Sequence, residues 1–273
     1  MTGTEQAVAA HYTTGALFEK IVEGLVAQGK DLTSLRPDDL VPAEHFHTGG
    51  KLATDRLLDN MRLAAGAQLL DIGCGIGGVA RAAAVQYDAR VFGVDLTPEF
   101  VETATALSAA VGLSDRTRFM TGSALDLPVD SGAFDAAVMV HVGMNIADKS
   151  RLFAQAFAAL KPGGLFGVFD TMLAPLAEDL AYPVPWAETP ETSFPESPEV
   201  YREAAAEAGF LPVSEVDYSV GLGDDRVATV PVNTDQPLGP FLMMGHTAAQ
   251  KLRNHRANLS AGRVSPVEMI FRR

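Results

Sequence analysis

The residues with the clearest chemical capacity are Asp71-Ile72-Gly73-Cys74-Gly75-Ile76-Gly77-Gly78. An apolar run from Leu69 to Ile72 is interrupted by an acid, and glycines follow at alternate positions. Glycine permits positive φ and lets a ligand approach the backbone closely. A helix starting just beyond would add unpaired N–H groups and a positive dipole end. A second acid, Asp95, lies 22 residues past Gly73. Gly73-x-Gly75-x-x-Gly78 with that distal acid fits a dinucleotide-binding fingerprint, which as a lone motif is weak. Asp71 bears on the choice of ligand: an acid at this turn would repel a pyrophosphate and favour a ligand with cationic groups. His45 and His47 have the His-x-His spacing of a metal site, but two histidines with no third ligand in view disfavour a metal. They are expected in a pocket wall or at its mouth.

These residues need a strand, a turn and a helix to hold them. Residues 68–72 read as the buried strand and 77–87 as the helix. The alternation continues with strand 90–94 and a helix over 98–111, where Thr97 is a plausible N-cap, Pro98 suits the first turn and Glu99 the dipole. Strands 117–121 and 133–140 follow, then a helix over 149–160 capped by Asp148. Lys161-Pro162-Gly163-Gly164 stops that helix and leads into strand 165–170. Such alternation predicts an α/β fold, a parallel sheet with helices on both faces.

On the N-terminal side, residues 5–29 read as one helix through Val8, Leu17, Ile21, Leu25 and Val26, 30–50 as loop, and 51–64 as helix. Pro175, Pro183, Pro185, Pro190 and Pro195 crowd residues 173–196 too densely for a regular helix or central strand. This predicts an insertion over the C-terminal edge of the sheet, a candidate lid. A helix over 198–208 capped by Ser197, strand 211–220, a helix from about 241 to 259 and strand 267–271 complete the chain. The predicted division is a helical cap at 1–64 and an α/β domain at 65–273 that carries the insertion.

The 273 residues are 47% apolar, enough for a full core, and the net charge is −13. Nucleic-acid binding rests on basic patches; the one basic cluster, Lys251 to Arg256 with Arg263, Arg272 and Arg273, is short and interrupted. The single cysteine, Cys74, leaves no intramolecular disulfide. No stretch has the length of a membrane span, and the first ten residues lack a signal-type pattern, so a cytoplasmic protein is expected.

Taken in order, Asp71 with its glycines, Asp95 ending the second strand, Gly122-Ser123-Ala124 after the third, Phe134-Asp135 opening the fourth and Leu160-Lys161-Pro162-Gly163-Gly164 before the fifth closely resemble the class I S-adenosylmethionine (SAM)-dependent methyltransferases. The resemblance covers residues 65–171. It implies a Rossmann-like seven-stranded sheet of order 3-2-1-4-5-7-6. It implies SAM as cofactor and S-adenosylhomocysteine as product. It places Asp71, Gly73, Gly75 and Gly77 around the methionine and ribose parts, Asp95 on the ribose hydroxyls, Leu96 over the adenine and Ser123 and Ala124 at its edge. Ser123 departs from the commoner pattern, which has Asp there. Val140 and His141 would lie beside the methionine part and the reactive methyl.

Residues 44–50 and 141–146 resemble the small-molecule branch, which includes sarcosine/dimethylglycine N-methyltransferases and relatives acting on quinones, tocopherols and sterols. The expected partner is a small-molecule acceptor, with a homodimer the only self-association envisaged. His141 is then the candidate base or acceptor-orienting group, since imidazole titrates near working pH; the alternative is a structural histidine bonding the backbone. Tyr12, Asn145 and Trp186 are candidate substrate contacts. Their alternatives are core packing for Tyr12 and Trp186 and a turn role for Asn145. Trp186 is grouped with Met243, Met244 and His246 as wall or core residues. Two further readings stay open: a SAM-binding protein of this fold in a non-methylating role, and an NAD-dependent oxidoreductase.

Overall fold

The computed structural model describes residues 2–174, 179–219 and 236–273. Seven strands form one sheet in the order β3-β2-β1-β4-β5-β7-β6. They are β1 (Gln68–Ile72), β2 (Arg90–Asp95), β3 (Thr117–Thr121), β4 (Phe134–Val140), β5 (Leu160–Leu173), β6 (Leu211–Asp217) and β7 (Val264–Arg272). The first five run parallel, and β7 lies antiparallel between β5 and β6.

Nine α-helices accompany these strands among the described residues: α1 (Gly3–Tyr12), α2 (Leu17–Ala27), α3 (Pro37–Glu44), α4 (Gly50–Met61), α5 (Gly78–Tyr87), α6 (Pro98–Ala110), α7 (Lys149–Ala159), α8 (Pro198–Ala208) and α9 (Ala248–Ser260). One sheet face packs against α7 and α8, with Phe153, Ala156 and Tyr201 against Leu70, Met139, Phe166 and Val168. The other packs against α4 and α5, with Leu57, Met61 and Ala80 against Leu69, Val138 and Ile270. The central strands are therefore covered on both faces, as a parallel sheet requires. A third apolar cluster joins α2 and α3 to Ile76 of the glycine loop and to Phe100 and Leu107 of α6.

Four local expectations are corrected. The single helix over 5–29 is two, because the carboxylate of Glu99 captures the amides of Thr14, Gly15 and Leu17 at 2.7–3.2 Å and turns the chain there. The loop over 30–50 contains α3, which starts with Pro37 in the position where a missing N–H costs nothing. Thr97 and Ser197 stand at their N-cap positions without a side-chain bond, whereas Asp148 does accept from the Arg151 amide at 2.9 Å. The helix expected from about 241 begins as two short 3-10 turns, and α9 starts only at Ala248. Pro175 and Val220 lie outside the described residues.

Candidate active site

The glycine loop joins the end of β1 to the start of α5. Gly73 takes φ 74° with its amide bonded to the Val94 carbonyl at 2.7 Å, and a Cβ there would run into Val142. Gly75 takes φ 53°, and a Cβ there would meet nothing within 4 Å. Its amide donates to Asp95 Oδ2 at 2.8 Å, while Asp95 Oδ1 accepts from the Thr97 amide at 2.9 Å. Burial raises the Asp95 pKa against these bonds. Asp71 sits behind the loop, 1% exposed, with no partner for Oδ2. Its burial, and then the nearby Asp95, push its pKa up to about 7. A buried carboxyl with an unsatisfied oxygen beside a second carboxyl is stabilised by an incoming cation.

Gly73, Gly75, Asp95, Leu96, Ser123, Ala124, Val140 and His141 all line one cavity of about 1480 Å³, together with Tyr12, His45, His47, Asn145 and Trp186. That is larger than the roughly 300–1,000 Å³ of an ordinary small-molecule pocket, so it has room for two ligands side by side. Asp71 and Gly77 stand outside its lining; Gly77 (φ 87°) instead caps α5 and packs near Arg81 and Phe119. Ser123 donates its hydroxyl to the Glu5 carboxylate of α1, so the first helix brings an acid to this corner of the cavity.

The histidines divide into two kinds. His47 Nδ1 faces the Thr48 carbonyl at 3.2 Å and must carry the proton; Nε2 then accepts from the Thr54 hydroxyl at 3.0 Å. Thr54 in turn accepts from His45 Nδ1 at 3.2 Å. Burial lowers His47 to about 3 and His45 to about 4, so both are neutral posts of the wall. Among the described residues no group of three or more His, Cys, Asp or Glu side chains could hold a metal ion.

His141 is different. It takes φ 54° just past β4, its amide bonded to the Phe169 carbonyl at 2.8 Å, and its buried Nε2 has no partner. Burial first, then His47 and His255, hold its pKa well below the ordinary value. The loop it begins rests on a buried pair: Tyr201 Oη donates to Asp170 Oδ2 at 2.8 Å directly beneath Gly143.

Tyr12, Asn145 and Trp186 meet in one chain of bonds. Tyr12 Oη donates to Asn145 Oδ1 at 2.9 Å, Asn145 Nδ2 donates to the Trp186 carbonyl at 2.9 Å, and Trp186 Nε1 donates to Ser193 Oγ at 2.8 Å. Trp186 is 2% exposed and packs with Met144, Val184 and Ala187. Met243 and Met244 are buried, whereas His246 does not line the cavity.

Sequence reasoning missed Arg56, Tyr218 and His255, which also line the cavity. His255 on α9 pairs Nε2 with Thr48 Oγ1 at 3.1 Å. The Arg56 guanidinium lies 3.4 Å from the Tyr218 ring centroid. The only signal for Arg56 was a basic residue beside the apolar positions Ala53 and Leu57.

Residues 70–168 match the family described as "Methyltransferase domain". Curated relatives include ajmaline N-methyltransferase of Rauvolfia serpentina, 39% identical over 32% of this chain and 30% of its own length. A probable fatty acid methyltransferase of Pseudomonas putida is 44% identical over 41% of this chain and 28% of its own length. The chain thus spans about three-tenths of the length of these relatives. In fold, it is similar to geranyl diphosphate C-methyltransferase from Streptomyces coelicolor A3(2), with TM-score 0.71, 18% identity and coverage of 100% of this chain and 98% of that one. Sheet order, glycine loop and sequence match agree that residues 70–168 carry a methyltransferase domain.

Proposed function

We propose that the chain transfers a methyl group from SAM to a small-molecule acceptor. The observation that carries this reading is Asp71, a buried carboxyl with an unpartnered oxygen behind a glycine loop that opens on the cavity. SAM, when bound, supplies a methyl on a sulfonium that is already an activated leaving group. Asp71 and Asp95 offset its positive groups, and Asp95 also accepts from the ribose hydroxyls. Gly73, Gly75 and Gly77 shape the loop, Leu96 and Ala124 flank the adenine, and Val140 borders the methionine part. Glu5, held by Ser123, stands in for the acid that the commoner pattern has at that position.

The chain's main task is then alignment, worth several kcal/mol and up to roughly 7–11 in favourable systems. His141, kept neutral by burial, is in the state needed to take a proton from a hydroxyl acceptor. Tyr12, Asn145 and Trp186 close the acceptor chamber, and His45 and His47 shape its wall. Residues 1–64 act as the cap, with α4 also packed on the sheet, and the described part of 173–196 as the lid of domain 65–273. A cytoplasmic location and a homodimer complete the reading. The dimer has support in the exposed Leu211, Val213 and Val216 of edge strand β6.

Calorimetry tests the cofactor assignment. SAM and S-adenosylhomocysteine should both bind and NAD should not; binding of NAD in their place would overturn the reading.

A further inference from the structure

The charges lining the cavity are segregated. Its carboxylates, Glu5, Glu44, Asp95 and Asp148, come from α1, α3, the end of β2 and the loop before α7. Among the described residues the wall built by α4 and α9 contributes Lys51, Arg56 and Arg256, with His255 held neutral by burial, and no carboxylate. Lys51 is paired with Asp55 at 2.6 Å and Arg56 with Glu268 at 3.2 Å, so the wall presents cationic donors whose charge is balanced within the protein. Thr48, just before α4, bonds His255 of α9, so the two helices form one continuous wall.

Arg56 is the fixed member of that wall. Its Nε donates to Glu268 at 3.2 Å. Glu268 is 1% exposed and is further bonded by Asn60 at 2.7 Å and by the Tyr218 hydroxyl at 3.3 Å. The guanidinium lies over the Tyr218 ring, 3.4 Å from its centroid, and 5.4 Å from that of Phe169. Besides the Glu268 bond the guanidinium shares a side-chain hydrogen bond with Tyr218, and the residue lines the cavity. A planar guanidinium held this way keeps a donor edge ready for a carboxylate and needs little further ordering. The same Phe169 ring also touches the candidate methyl-transfer centre, since its centroid is 5.3 Å from that of His141. Arg56 and His141 thus flank one aromatic ring.

We propose that the α4–α9 wall is an anion subsite, with Arg56 as its donor, that selects acceptors bearing a carboxylate about one ring system away from the methylated atom. The subsite rests on the methyltransferase reading above and adds a substrate class to it: apolar or aromatic hydroxy acids. The acidic side of the cavity takes the cationic cofactor, and the basic side takes the anionic acceptor.

The test uses the full chain saturated with S-adenosylhomocysteine and titrated with 6-hydroxy-2-naphthoate, its methyl ester and 2-naphthol. The acid should bind at least about tenfold more tightly than either neutral probe, in line with a hydrogen bond to a charged group. Arg56→Met should abolish that preference while S-adenosylhomocysteine affinity stays unchanged. Arg56→Met alone leaves the buried Glu268 unpaired, so Arg56→Met/Glu268→Gln provides a second variant without that charge. It should fold and show no preference, whereas Glu268→Gln alone should keep it. Equal binding of acid and ester, a preference that survives both Arg56 variants, or no binding of any probe to the loaded protein would overturn the subsite. Failure of S-adenosylhomocysteine itself to bind would instead overturn the methyltransferase reading, and the subsite with it.

Discussion

Tyr12 and Asn145, 133 positions apart, share a 2.9 Å hydrogen bond that ties the first helix to the loop after β4. Asn145 then reaches the Trp186 backbone, so one carboxamide joins α1, the β4 loop and the proline-rich insertion. Tyr12→Phe removes the donor and keeps the ring, at a cost of about 0.5–1.5 kcal/mol to this closure. Cleavage by a nonspecific protease in α1 and in residues 179–196 should speed up by up to about tenfold, and bound S-adenosylhomocysteine should reduce it. Unchanged cleavage would remove the latch from the account.

Asp71 makes cofactor affinity depend on pH. Its folded-state pKa, about 7, lies above its ordinary value of 3.8. The free protein therefore has this group's stabilising contribution at low pH and loses it as pH rises through about 7. A cation favours the ionised carboxyl, so SAM should bind more tightly as pH rises from 6 to 8, by up to about tenfold per unit below 7. Calorimetry at pH 6.5 in buffers of different ionisation enthalpy should show proton release. Asp71→Asn should flatten the profile and weaken binding at pH 8; a flat profile in the parent protein would contradict this role.

Asp95→Ala removes the acceptor that holds the Gly75 amide and faces the cavity. Loss of a hydrogen bond to a charged group costs about 1.5–3 kcal/mol, or roughly 10- to 150-fold in SAM dissociation constant. Parent-like affinity would sink the ribose assignment.

His141→Ala separates chemistry from binding. With a hydroxyl acceptor, kcat should fall by about 10²–10⁴-fold, while S-adenosylhomocysteine affinity changes little. Because burial holds the His141 pKa well below its ordinary value, the acid limb of the parent's kcat/KM profile should follow Asp71. An equal loss of turnover and cofactor affinity would make His141 a structural histidine.

The sheet order and the glycine loop were legible because their causes are local. Gly73 and Gly75 need positive φ, and strand–helix alternation at short spacing leaves few topologies. The break after Tyr12 was hidden because its cause is Glu99, more than 80 positions away. Helix α3 was hidden by Pro37 and Pro42, which read as loop residues until Pro37 is seen at the helix start. Asn145 was legible as a polar group at the right place, but its two tertiary bonds were not. Arg56 looked like an ordinary exposed helix residue, since Phe169, Tyr218 and Glu268 reach it from distant strands and loops. The glycine loop thus follows from the chain's local grammar, and the contacts of Tyr12, Asn145 and Arg56 follow from packing across it.

The central claim is methyl transfer to a small molecule. The full chain, incubated with SAM labelled in its methyl group and with 2-naphthol and 6-hydroxy-2-naphthoate, tests it most directly. Label should appear in a methylated small-molecule product in step with S-adenosylhomocysteine formation, and far more slowly with His141→Ala. Tight SAM binding with no label in either probe, or in any metabolite of a cell extract, would contradict the claim and favour a SAM-binding protein that does not methylate.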